Sequence, residues 1–322
     1  AYLPPAAAGA APEEILIGAH YDHLGRGDEG SLQRKGEEGQ IHNGADDNAS
    51  GTALALNLAA ALAAERQSNP QAFRRGIRFA FWSGEELGLL GSSHYAEKLG
   101  PELSRTVAYL NFDMVGRLRD NKLSLQGVGS SSGWKALIEK RNVAAGFDLV
   151  LQEDPYLPTD VTALYPKKVP AINFFTGGHE DYHRPTDDAD KINYEGMTRI
   201  SELARRLVLD LAASPERLDY VAVAPSSTGG SRETLRAYVG TIPDYTSEVS
   251  GVKLSGVRAG GPAEKAGLKA GDVIVRFGEQ AITNIYDYTF ALDAVKIGQP
   301  VEVEVLRDGE RLKLQIVPEA RK

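Results

Sequence analysis

The chain has 322 residues, 42% of them hydrophobic and 25% charged, with a net charge of -8 and no cysteine. That length exceeds one ordinary core and predicts two domains. The acidic balance argues against a nucleic-acid backbone as partner. The lack of cysteine excludes disulfides and thiolate metal sites, so any metal must be held by His, Asp and Glu. No apolar run reaches the roughly 18 residues that a membrane-crossing helix needs.

Ala1-Tyr2-Leu3-Pro4 reads as the tail of a strand rather than a leader, so the chain is expected to begin within or just before a hairpin. Glu14 to Ala19 is a short apolar run, read as a central strand that ends at His20 in His20-Tyr21-Asp22-His23. A polar, glycine-rich loop follows, from Gly25 to about Gly44. Next comes NGADDNASG, residues 43–51, and then an Ala- and Leu-rich run that predicts a buried helix. Asp47 or Asn48 is placed to cap it.

RGIRFAFWSGEELGLLG, Arg75 to Gly91, reads as a buried strand broken at Gly84, with Glu85 and Glu86 at its carboxyl end. A helix through about Lys98 follows. Val107 to Phe112 is a further strand, ending at Asp113. Lys122 to Val128 reads as a strand, Trp134 to Ala145 as a helix and Val169 to Phe175 as a strand. That last strand leads into a loop holding His179, Tyr182 and His183. A long amphipathic helix, about Tyr194 to Ala213, closes the region. Alternating strands and helices predict an α/β fold, a mostly parallel twisted sheet covered by helices on both faces. Residues 1–213 form the expected first domain and 214–232 a linker. Residues 233–322 form a small, mainly β domain, with short strands from Val249, Val273, Val301 and Leu312.

Ligands of open α/β sheets gather outside the carboxyl ends of the strands. His20, Asp46, Glu85, Glu86, Asp113 and His183 all fall at such ends or at the loops and helix start beside them. Three carboxylates and two histidines exceed the needs of one catalytic zinc and suit two metals that share a carboxylate. His23, His42 and His94 read as solvent-facing or local hydrogen-bond partners, and Asp187 and Asp190 as braces of the loop after His183. His179 to His183 matches H-E-x-x-H, a motif that requires a helix. The flanking Gly177-Gly178 and Arg184-Pro185 oppose one.

Five motifs in order, AHYDH, NGADDNASG, SGEELGLLGS, NFDMVGR and HEDYHRPTDDADKI, give residues 10–213 a resemblance to the co-catalytic two-zinc aminopeptidases. That family includes glutamate carboxypeptidases and secreted bacterial aminopeptidases. The resemblance implies two Zn2+ per chain, with Asp46 shared between them, His20 and Asp113 completing one site, and Glu86 and His183 the other. It implies Glu85 as the general base, Asp22 as the orienting partner of His20, and Tyr182 as an aid to the oxyanion. It also implies a cis peptide at Asp46-Asp47. The expected reaction is removal of N-terminal residues from peptides, and family habit suggests a secreted, periplasmic or envelope location. The alternatives are a catalytically silent binding protein on this fold and a one-zinc glutaminyl-cyclase-like acyltransferase. Where the family often has Ser-Asp-His, this chain has Thr159-Asp160-Val161, so Asp160 is left out of the catalytic set. GPAEKAGLKAGDVI, within about 233–319, resembles a bacterial PDZ domain. Val239, Gly240 and Thr241 would then receive the end of a peptide chain by strand addition. Pro243, which lacks an N–H, counts against that edge.

Overall fold

A computed structural model describes residues 1–6, 13–27, 30–33, 36–223, 237–243, 249–258, 260–283 and 285–320. The chain divides into two compact units, the first Ala1–Gly177 with Asp181–Ala224 and the second Gly178–Glu180 with Pro225–Lys322.

Among the described residues, the first unit is built on seven strands: β1 (Tyr2–Leu3), β2 (Glu14–His20), β3 (Gly76–Trp82), β4 (Thr106–Phe112), β5 (Lys122–Gln126), β6 (Asp148–Gln152) and β7 (Ala171–Phe175). Their order across the sheet is β1-β3-β2-β4-β7-β5-β6. The four central strands β3, β2, β4 and β7 are parallel, so their carboxyl ends share one rim. β1 runs antiparallel to β3, and β5 antiparallel to β7. The sheet is therefore mixed, with a parallel centre. β6, Asp148–Gln152, was not foreseen. Its residues are partly or largely exposed, so it lacks the apolar run by which the central strands announce themselves.

Successive side chains on a strand point to opposite faces. Ile15 and Ile17 of β2 join one core and Leu16 the other. The first core is completed by the helices α1 (Gly51–Ser68), α3 (Gly133–Ala145) and α5 (Tyr194–Ala213). The second takes residues from α2 (Leu90–Leu99) and α4 (Val161–Leu164). Both faces of the sheet are thus covered, which is why the central strands read as continuous apolar runs. Asn193 caps α5, its side chain accepting from Gly196 N at 2.8 Å.

A polar row crosses the second face. Trp82 Nε1 donates to Tyr109 Oη (2.8 Å), and Tyr109 Oη to Asn111 Oδ1 (2.6 Å). Asn111 Nδ2 donates to Asn173 Oδ1 (3.0 Å), and Asn173 Nδ2 to Gln126 Oε1 (2.9 Å). Gln126 Nε2 then donates to Gln152 Oε1 (2.9 Å). Apart from the Tyr109–Asn111 bond within β4, each link joins different strands, which fixes register near the rim. The Trp82–Tyr109 bond passes over β2 at Gly18, where a Cβ would stand 2.7 Å from both Trp82 Nε1 and Tyr109 Oη.

The ten residues 214–223, read as the start of a linker, are held on the first unit. Asp219 accepts from Ser131 Oγ (2.6 Å), and Tyr165 Oη donates to Val221 O (3.0 Å). The rest of that expected linker, 224–232, lies outside the described residues.

The second unit is an antiparallel sheet of β9 (Thr241–Pro243), β10 (Val252–Val257), β11 (Val273–Phe277), β13 (Val301–Arg307) and β14 (Glu310–Ile316), in the order β14-β13-β11-β10-β9. A hairpin strand β12 (Gln280–Ala281) pairs with β11. β8 (Ala237–Tyr238) pairs with β15 (Glu319–Ala320). Among the described residues it also has two helices, α6 (Pro262–Lys265) and α7 (Ile285–Ala294). α7 was not foreseen, because its aromatic residues read as strand formers. Among the described residues, no helix is long and apolar enough to cross a membrane.

Gly18→Val is expected to destabilise the first unit by roughly 1–3 kcal/mol, as overpacking does. A urea melt of variant and parent measures this.

Candidate metal centre

His20 ends β2, and its position is fixed by the strand. Its Nδ1 lies 3.1 Å from the carbonyl oxygen of Asp22 and 3.7 Å from that residue's carboxylate. The carbonyl is the better-placed acceptor, so Nδ1 carries the proton and Nε2 is left to face inward. There it meets Asp47 Oδ1 at 3.2 Å and Asp113 Oδ1 at 3.4 Å. His183 repeats the arrangement. Its Nδ1 donates to Gly30 O (2.9 Å), and its Nε2 stands 3.2 Å from Asp47 Oδ2 and 3.1 Å from Glu86 Oε2. The two histidines therefore face opposite oxygens of one carboxylate, Asp47.

This corrects the expectation that Asp46 is the shared carboxylate. Asp46 is fully buried, but its Oδ1 accepts from Gly116 N at 2.6 Å. Asp47 and Asn48 leave helical geometry (φ -108° and -135°), which turns the Asp47 side chain to the rim. The cis peptide is Asp47–Asn48, one residue beyond the expected bond. Asp187 braces the turn: its Oδ2 accepts from Asp46 N (2.8 Å) and Asp47 N (3.1 Å), and its Oδ1 from Arg117 Nη2 (2.9 Å). That role matches the brace read from the sequence. Asn48 ties the same turn to β4 by donating to Phe112 O (2.9 Å) and accepting from Met114 N (3.3 Å).

Asp22 acts beyond His20. Its two carboxylate oxygens accept from Glu85 N (3.2 Å) and Glu86 N (3.3 Å), holding the glutamate pair at the end of β3. Glu85 is buried beside Glu86 in sequence. Tyr182 stacks on His183, with ring centroids 3.9 Å apart. His23, read as a solvent-facing or local partner, instead places Nδ1 2.8 Å from Glu86 Oε1. A sequence signal existed: His23 lies three residues after His20, which ends β2.

Among the described residues, two groups have metal-holding geometry: His20-Asp47-Asp113 and His23-Asp47-Glu86. His179 belongs to neither, and His179 to His183 runs through turns, not a helix. Asp160 sits apart from both groups. Its Oδ1 accepts from Ser92 Oγ at 2.5 Å, while its Oδ2 is buried with no hydrogen-bond partner.

The electrostatics show what the rim requires. Burial works against a charged His183, but Glu86 and Asp47 outweigh it and push its pKa up to about 10. Burial likewise opposes a charged His20, yet Asp113, Asp22 and Asp47 raise it well above the usual value. Desolvation raises Asp113, an effect that His20 only partly offsets. Three carboxylates, two of them buried, draw positive charge to this spot. Two imidazole Nε2 atoms and three carboxylates are donors suited to divalent zinc. Both histidines have Nδ1 engaged by carbonyl oxygens, as metal-bound histidines usually do.

Comparisons with known proteins identify the family. The family model for Peptidase family M28 matches residues 2–208, and that for the PDZ domain matches residues 230–317. An aminopeptidase of Pseudomonas aeruginosa is 36% identical over 120 residues, which are 37% of this chain and 18% of that protein. Aminopeptidase YwaD of Bacillus subtilis is 30% identical over 211 residues, 62% of this chain and 41% of that one. The solved structure of BSAP, a zinc aminopeptidase from Bacillus subtilis, aligns with a TM-score of 0.53 and 26% identity, over 66% of this chain and 49% of that one. The chain thus spans well under two thirds of these relatives.

Asp47→Asn is expected to weaken metal uptake by more than the roughly 10–100-fold lost with a partner behind a ligand, measured by chelator competition. Asp46→Ala should keep its metal while losing about 1–3 kcal/mol of stability for the orphaned Gly116 N–H. A second expectation concerns pH. Burial pushes the Asp160 carboxyl up to about 7, although the Ser92 hydroxyl works the other way. The native carboxyl keeps its proton where the unfolded one, near 3.9, has released it. Stability from this group is thus lost as pH rises from about 4 to about 7. Asp160→Asn, which does not titrate, should gain stability relative to the parent across that window. Urea melts of chelator-treated protein at pH 4 and pH 8 check it.

Proposed function

Because the chain belongs to peptidase family M28 and carries a PDZ domain, we propose that it is a metal-dependent aminopeptidase with two Zn2+ per chain. The observation that carries this reading is Asp47, whose two oxygens each face one histidine Nε2 at 3.2 Å. His20, Asp47 and Asp113 would hold one metal, and Asp47, Glu86 and His183 the other. When bound, the pair supplies Lewis acidity and a water that ionises near pH 7.

The chain's own residues do the rest. Glu85 takes the proton of the attacking water and returns it to the leaving amine. Asp22 fixes the Glu85 and Glu86 amides, so the base and its neighbouring ligand keep their places at the rim. Tyr182, stacked on His183, offers a phenol to the developing oxyanion. The relatives named above are aminopeptidases, and the reading carries their action on free N-termini to this chain. Export from the cytoplasm is proposed on family resemblance alone.

In the second unit, the proposed ligand is a peptide chain end, received at Val239, Gly240 and Thr241. β9 is an edge strand, and Pro243 stands at its last position, so the missing donor lies away from the expected carboxylate loop. Gly240, at φ 74°, supplies the left-handed turn that opens the loop.

The test is one peptide offered with a free and with an acetylated N-terminus, its products weighed by mass spectrometry. Stepwise shortening of the free form alone is expected. Internal cleavage of both forms, or none of either by zinc-loaded protein, would contradict the proposal. Glu85→Gln should lower kcat by about 10²–10⁴-fold while zinc content is unchanged.

A further inference from the structure

Glu86 has two oxygens, and they are divided between two histidines. Oε2 faces His183 Nε2 at 3.1 Å, on the metal side. Oε1 faces His23 Nδ1 at 2.8 Å. His23 differs from His20 and His183 in its presentation. Those rings spend Nδ1 on carbonyl oxygens and turn Nε2 to the carboxylates. His23 turns Nδ1 to the carboxylate, and its Nε2 is buried with no hydrogen-bond partner.

That difference selects a tautomer. A neutral imidazole has one N–H and one lone pair. With the proton on Nε2, a buried donor would be orphaned, and the Nδ1 lone pair would oppose the Oε1 lone pairs. With the proton on Nδ1, the donor is satisfied by a carboxylate, and only an acceptor is left bare. Bare buried acceptors are the more tolerated defect. The ring is also seated by shape. Gly44 leaves room for it, since a Cβ there would stand 2.6 Å from Cδ2 and 2.7 Å from Cγ of His23. The His183 ring meets it edge-on, with centroids 5.8 Å apart.

We infer that His23 is a positioning residue of the second metal site: it holds Glu86 Oε1 by hydrogen bond, so that Glu86 offers the metal a single oxygen, Oε2. This rests on the two-metal reading above. Unheld, Glu86 can rotate or offer both oxygens, and the pocket between Asp47, Glu86 and His183 loses its shape. Hydrogen-bond partners behind metal ligands typically contribute about 10–100-fold in affinity.

The experiment strips metal from the full chain and titrates Zn2+ back against a chromophoric chelator. It compares the parent, His23→Ala, His23→Asn and both His23→Ala and its parent in a Glu86→Gln background. Asn is chosen because its amide N–H falls near the place of Nδ1 but is a poor zinc ligand. In the parent, two zinc ions are expected. His23→Ala should weaken one of them about 10–100-fold and leave the other within about twofold. His23→Asn should recover most of that loss, and in Glu86→Gln the His23→Ala change should add nothing. Unchanged binding in His23→Ala, or equal weakening of both ions, overturns the inference. A His23→Asn as weak as His23→Ala also overturns it, by making His23 a direct ligand. A parent that takes up one zinc contradicts the two-metal reading itself.

Discussion

Three carboxylates, Asp47 and Asp113 buried and Glu86 half-buried, meet where the central strands end. Unit charges about 4 Å apart interact by about 4 kcal/mol at an effective dielectric near 20. Such a cluster is tolerable only if positive charge enters it. In the chain alone, that need appears as the raised His20 and His183. Much of the first unit can be understood as what it takes to keep this unfavourable arrangement in place.

The means are mostly backbone hydrogen bonds. Asp22 is satisfied by the amides of Glu85 and Glu86, Asp46 by Gly116, and Asp187 by the amides of Asp46 and Asp47. Each acid that is not itself at the rim thus fixes a segment that is. The polar row from Trp82 to Gln152 does similar service between strands, tying β3, β4, β7, β5 and β6 in register. A site assembled from strand ends is only as well ordered as the register of those strands.

The sequence made the parallel centre of the sheet legible, because β2, β3 and β4 are buried on both faces and read as apolar runs. It also placed His20, Glu86, Asp113 and His183 at strand ends or the loops beside them, and the fold brings these four side chains together around Asp47. It did not separate Asp46 from Asp47. Both are acidic, adjacent and buried; the choice depends on a local departure from helical backbone that no residue pattern announces. His23 was passed over for a related reason: its partner, Glu86, is 63 residues away and meets it only through the pairing of β2 with β3. β6 and α7 were missed because their exposure and their aromatic content, respectively, mask their periodicity.

The most direct measurement is anomalous diffraction at the zinc edge from zinc-loaded crystals. The account predicts two peaks about 3.5–4 Å apart, with the Asp47 carboxylate spanning them, His20 and Asp113 beside one, and His183 and Glu86 beside the other. A single peak, or peaks held by Asp46 or His179 in place of Asp47, would contradict it.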